Sequence, residues 1–111
     1  MSTIRPAGLS PQQTIMLDHL RHTRGSPLPV ARFVEALYGA RADGGPVTAD
    51  NVVRVQMLHL RRWLAGHGVA VLTIGLGRGS EGYMLDPGHL ERLEAVLATQ
   101  DQAAIDIARA S

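Results

Sequence analysis

Four stretches of this chain space their apolar residues at helical intervals, and a β-branched run separates the third from the fourth. The first stretch opens on clear start signals. Ser10 stands as an N-cap, Pro11 takes the first helical position, and Gln13 completes a capping box. Ile15, Met16, Leu17 and Leu20 then form an apolar side, which predicts a helix to about His22. Residues 1–8 read as a disordered arm, and Arg24-Gly25-Ser26-Pro27 reads as a turn. Leu28 lies between two prolines, which allows only a very short strand at a sheet edge. Val30, Phe33, Val34 and Leu37 share one face of a second predicted helix, from about Pro29 to Leu37.

Gly39 to Pro46, GARADGGP, follows as a loop, and Thr48 or Asp50 can cap the third helix. At about 100° per residue, Val53, Met57, Leu60 and Leu64 fall on one stripe, flanked by Gln56 and Trp63. The opposite face presents Asn51, Arg54, Val55, Leu58, His59 and Arg62, with Arg61 at its margin. Gly66 and Gly68 end the helix. Val69, Val71 and Thr73 alternate with Ala70, Leu72 and Ile74, a strand signature. Gly75 through Gly82 is expected to form a long tip, with Tyr83-Met84-Leu85 returning as the partner strand. Asp86-Pro87 caps a fourth helix with Leu90, Leu93, Val96 and Leu97 on its apolar face. That helix either runs on or breaks near Thr99-Gln100-Asp101 and restarts through Ala103 to Ala110. The order predicts a mainly α chain with a small β-hairpin wing, a winged helix-turn-helix plus an extra C-terminal helix. Its expected divisions are the arm at 1–8, a winged-helix domain at 9–86 and the C-terminal helix at 87–111.

The length of 111 residues suits one domain with a single modest core. A hydrophobic fraction of 45% and a charged fraction of 19% are those of a soluble globular protein. No apolar run approaches a bilayer span, and MSTIRPAGLSPQQ lacks the apolar core of a signal peptide, so a cytoplasmic protein is expected. The absence of cysteine excludes disulfides and thiolate metal sites. Net charge is only +1, but it is unevenly spread: residues 48–86 hold four Arg against three acids, while residues 87–111 hold two against four. Every cation is Arg, whose planar fork suits phosphate and guanine edges; a GC-rich genome would produce the same bias.

The stretch from about Leu9 to Leu85 resembles the winged-helix output domain of OmpR-type response regulators. The residues that carry the likeness are Leu9-Ser10-Pro11-Gln12-Gln13 with Met16-Leu17, Leu37-Tyr38-Gly39, Val53-x-Val55-x-Met57 with Leu60-Arg61-Arg62-x-Leu64, and Thr73 with Gly82-Tyr83-Met84-Leu85. Within these 111 residues no receiver domain is expected, and the residues before the first predicted helix are too few for the family's N-terminal sheet. Arg54 stands where the family usually has an acid, and Gln56 where it has His. The GLGRGSEG tip is also longer, so no target sequence carries over.

The resemblance implies that the third helix enters the major groove of double-stranded DNA. His59 would read bases, Arg61 would contact phosphate, and Arg54 and Gln56 would lie near the backbone or base edges. Val55 could meet a thymine methyl, and exposed Leu58 either a methyl or a protein partner. Arg78, at the tip, suits a minor groove. With Asn51, Arg62 and Thr73 these make the candidate DNA-binding set, and a merely solvated helix face is the alternative. The expected function is sequence-specific transcriptional regulation without a cofactor. The rival is a winged-helix protein-interaction module that binds RNA polymerase, a sigma factor or another regulator, the first two through the 39–50 loop. The tail helix is expected either to pack on the domain's own core or to pair two copies into a homodimer. His19 and His22 have a metal-compatible spacing but no evident third ligand. Gly75-x-Gly77-x-Gly79 precedes a strand rather than the helix that phosphate binding needs. No nucleophile, base and acid assemble, so neither an enzyme nor a metal protein is expected.

Overall fold

The computed structural model describes residues 8–41, 45–77 and 80–110, with backbone alone at Leu76, Ser80 and 101–110. The chain is mainly helical with a small three-stranded antiparallel sheet. Helix α1 (Pro11–His22) starts at the expected capping box: Ser10 Oγ accepts the Gln13 N–H at 3.1 Å, and Gln13 Oε1 accepts the Ser10 N–H at 3.0 Å. Met16, Leu17 and Leu20 face inward, while Ile15 stays exposed. After α1 the chain reverses through Arg24 and Gly25, both with positive φ, and delivers β1 (Leu28–Pro29) to the sheet. β1 is an edge strand in the order β1-β3-β2, where the missing N–H of Pro29 is tolerated. Helix α2 (Val30–Tyr38) follows with no intervening loop and buries Val30, Phe33 and Tyr38.

Helix α3 (Ala49–Gly66) buries its predicted stripe completely: Val53, Met57, Leu60 and Leu64 are all 0% exposed. Its start differs from expectation. Thr48 occupies the N-cap position, but its side chain makes no cap hydrogen bond, because its backbone (φ −93°, ψ 24°) is not the extended one that aims a hydroxyl at the first turn. Backbone contacts hold that turn instead, with the Ala49 N–H bonded to Pro46 O and the Val52 N–H to Thr48 O. Asp50 lies in the first turn, where its charge complements the positive end of the helix. At the other end, the Gly68 N–H bonds to Ala65 O at 3.0 Å and the Val69 N–H to Leu64 O at 2.9 Å. This is a Schellman turn, with Gly68 at φ +79° as its left-handed residue and buried Leu64 and Val69 in its usual apolar contact. Val69 therefore closes the helix rather than opening the strand.

The hairpin is more regular than the sequence predicts. Strand β2 (Val71–Gly77) pairs with β3 (Ser80–Leu85) beyond the expected limit, through Ile74↔Gly82, Gly75↔Glu81 and Gly77↔Ser80. A register shift between Gly75 and Gly77 absorbs the extra residue. A backbone ladder needs no apolar side chains, so the glycines do not end the pairing, and Glu81 lies within a strand instead of a loop.

Asp86 caps a single 3₁₀ turn (Pro87–His89) by accepting the Gly88 N–H at 2.9 Å, and helix α4 (Leu90–Ala110) then runs unbroken. Thr99 does not interrupt it, because its hydroxyl donates to Ala95 O within the helix. Leu93 and Leu97 join the same buried cluster as α1, α2, α3 and the sheet. Arg21 on α1 grips Glu94 on α4 through two nitrogens, at 3.0 and 2.8 Å. His89 Nδ1 accepts the Ala70 N–H at 3.0 Å, fastening the start of α4 to the segment that leaves α3. These early turns of α4 pack on the chain's own core. No helix among the described residues is long and apolar enough to cross a membrane.

Two neighbouring glycines make opposite predictions. At Gly68, positive φ strains any L side chain, and a Cβ would lie 2.6 Å from Arg92 Nη1. Gly68→Ala should cost about 1–2 kcal/mol. At Gly66, inside the helix, a Cβ meets nothing within 4 Å. Gly66→Ala should be neutral or stabilising by up to about 1 kcal/mol. Thermal melts of the two variants check this, and equal midpoints would contradict the Schellman assignment.

Candidate nucleic-acid interface

With its inner stripe sealed, α3 arranges the flanking and outward residues in three bands. Helical geometry groups Asn51, Val55, Leu58 and Arg62 along a crest, Arg54 and Arg61 along one flank, and Gln56 and His59 along the other. The crest is open to solvent, with Val55 55% and Leu58 46% exposed. Asn51, His59 and Arg62 are exposed as well.

The Arg flank faces the hairpin and is tied to it twice. Arg54 Nε donates to Glu81 Oε1 on β3, and Arg54 Nη1 to Asn51 Oδ1 at 3.4 Å. Two turns further along, Arg61 Nη1 donates to Thr73 Oγ1 on β2 at 3.2 Å. The hydrogen bond that Arg54 donates to Glu81 holds its guanidinium above its ordinary pKa, with the Glu81 and Asp50 charges adding to the effect. Helix and hairpin thus form one continuous surface, on which Arg54 is charge-paired and Arg62 has no ion-pair partner among the described residues.

The other flank faces α1. Gln56 Oε1 accepts from Gln13 Nε2 at 2.7 Å, and Gln56 Nε2 donates to Gln12 Oε1 at 3.1 Å. Gln12 Nε2 continues the chain of bonds to the Tyr38 hydroxyl at 3.4 Å. Both ends of the Gln56 amide are therefore engaged in the α1–α3 seam, and the residue is half-buried rather than presented outward. That departs from the position near the backbone or base edges which the resemblance implies. The capping box explains it, because it aims Gln13 at α3.

The structure brings together Asn51, Arg54, Val55, Leu58, His59, Arg61, Arg62 and Thr73. Arg78 lies outside the described residues. Glu81 is the member that sequence reasoning misses, since the glycine-rich pattern assigns it to a loop tip. The available signal was Arg54 itself, a cation where the resembled family has an acid. In the 39–50 loop, Val47 is fully exposed, while Ala49 and Asp50 already belong to α3. Among the described residues no group of three His, Asp or Glu side chains converges on a metal-sized site.

Comparison with protein-family models, with curated proteins and with solved structures finds no match.

Tyr83 lies beneath this surface, 5% exposed, with its ring edge-on to Phe33 at 6.1 Å. Burial pushes its phenol above the ordinary value of 10.0, the Glu81 charge adds to this, and Arg54 and Arg61 oppose it. The folded state therefore retains the Tyr83 proton to higher pH than the unfolded chain does. The resulting stability is fully present below about pH 10 and is lost as pH rises from there through the folded pKa. In alkaline melts the wild type should lose more stability above that pH than Tyr83→Phe does; parallel curves would refute the linkage.

Proposed function

We propose that this chain is a winged helix-turn-helix protein that binds duplex DNA as a transcriptional regulator. α3 enters the major groove, and the β2–β3 hairpin lies on the backbone or in the minor groove. One observation carries the reading: an exposed helix face bearing Arg61, Arg62 and His59 is continuous with a hairpin bonded to it through Arg61–Thr73 and Arg54–Glu81. A major groove about 12 Å wide admits such a helix. Arg61 and Arg62 then neutralise phosphates. His59 reads a base edge, and Val55 and Leu58 pack on thymine methyls. So few cations give weak, salt-sensitive binding from one copy, which supports a homodimer on two half-sites. A chromosomal target implies the cytoplasm.

A second reading rests on the exposed apolar side chains. Val47 and Leu58 would suit docking onto RNA polymerase or a sigma factor. Recovery of a polymerase subunit in a pull-down, with no DNA shift at low salt, would favour it.

Selection from a random duplex pool should yield a defined site. Arg61→Ala and Arg62→Ala should each weaken binding on all sequences and flatten the dependence of log K on log salt by about 0.9. His59→Ala should weaken the selected site more than random duplex. Unchanged binding in all three folded variants would remove α3 from the groove.

A further inference from the structure

An acid on a surface meant for a polyanion calls for explanation. Glu81 is on β3, beside the α3 flank that carries Arg54 and Arg61, and its carboxylate accepts directly from Arg54. Arg54 also donates to Asn51, so two of its three guanidinium nitrogens are bonded to protein acceptors. Both partners remain open to solvent, with side-chain exposures of 43% for Arg54 and 32% for Glu81. The hairpin does not depend on this pair for its place. β3 is bonded on both sides, to β1 and to β2, and Tyr83 and Leu85 anchor it in the core. Exposed ion pairs add little to stability in any case. What the pair does change is the charge that α3 and the hairpin offer to a phosphate backbone.

We propose that Glu81 is a specificity-determining residue: its carboxylate occupies Arg54 in place of a DNA phosphate, suppressing sequence-independent binding. The proposal rests on the DNA-binding reading above. With Arg54 held, the described cations of α3 left for phosphates are Arg61 and Arg62. Backbone attraction is then weak, and binding depends on the base contacts of His59, Val55 and Leu58. Phosphate contacts add affinity for every sequence alike, so withholding one raises the ratio of specific to non-specific binding. Because the pair is accessible, removing the carboxylate frees the guanidinium to swing onto a backbone phosphate, which adds one neutralised phosphate per chain.

The test uses the full-length chain and a labelled mixed-sequence duplex, with binding followed by fluorescence anisotropy across a salt series. E81Q should bind this duplex more tightly than wild type, with the slope of log K against log salt steeper by about 0.9. The double variant R54Q/E81Q should return to the wild-type slope. E94Q, which makes the same charge change at the Arg21 pair on α1 and α4, should leave the slope unchanged. An unchanged slope in E81Q overturns the proposal, as does steepening in E94Q equal to that in E81Q. Weaker binding in both E81Q and R54Q/E81Q, or loss of the folded circular dichroism signal in E81Q, also overturns it and makes the pair a strut for the hairpin. Wild-type binding to duplex with any of these results leaves DNA binding standing. No binding to any duplex by wild type or variants overturns both readings.

Discussion

Val53, Met57, Leu60 and Leu64 fix the rotation of α3 about its own axis, and the rest of the surface depends on that rotation. Burying an aliphatic or Met side chain of this size stabilises the fold by about 1.5–3 kcal/mol relative to exposing it. All four lie within one narrow stripe and are fully sealed. A turn of about 100° toward the hairpin would expose them and bury Arg54 or Arg61 without a partner, which is far more costly. The outer bands of α3 are therefore consequences of its inner one. The Schellman turn at Gly68 extends the same constraint to the hairpin: Val69 must reach the core beside Leu64, which sets the direction in which β2 leaves.

The second organising effect is electrostatic. A net charge of +1 conceals a local arrangement in which cations are selectively engaged. Arg21 is bonded to Glu94, and Arg54 to Glu81. Arg61 leans on the hydroxyl of Thr73, a neutral acceptor that leaves its charge uncompensated. The surface we assign to DNA is thus weaker in charge than a count of its arginines suggests, and richer in apolar contact, through Val55 and Leu58. On the DNA-binding reading we propose, such a face would rely on fit to base edges more than on attraction to the backbone.

Much of the fold is legible along the chain, and the places where legibility fails share a cause. The four helices, the edge strand pinned between prolines and the inner stripe of α3 follow from periodicity and local stop signals. These are properties of neighbours in sequence. The hairpin's length is not, because pairing of Gly75 with Glu81 is made by backbone groups that leave no mark on side-chain pattern. The failed cap at Thr48 arises from a loop geometry that the residue type does not dictate. The continuity of α4 past Thr99 rests on a hydroxyl bonding within its own helix, which local composition leaves open.

The same division runs through the candidate site. The sequence by itself determined which residues of α3 are inside and which are outside, because amphipathic periodicity is local and burial rewards only one rotation. It also marked the helix end, since a left-handed residue after the last turn is met most cheaply by glycine. Only the tertiary structure decided what each outward residue does. Gln56, one of a pair of flanking positions in sequence, is drawn into the α1 seam by Gln12 and Gln13, 44 and 43 residues away. Arg54, nominally a free cation, is paired with Glu81 across 27 residues. Hydrogen bonds and ion pairs act over a few ångströms in space and are indifferent to separation along the chain, so periodicity places a side chain on a face but does not name its partner.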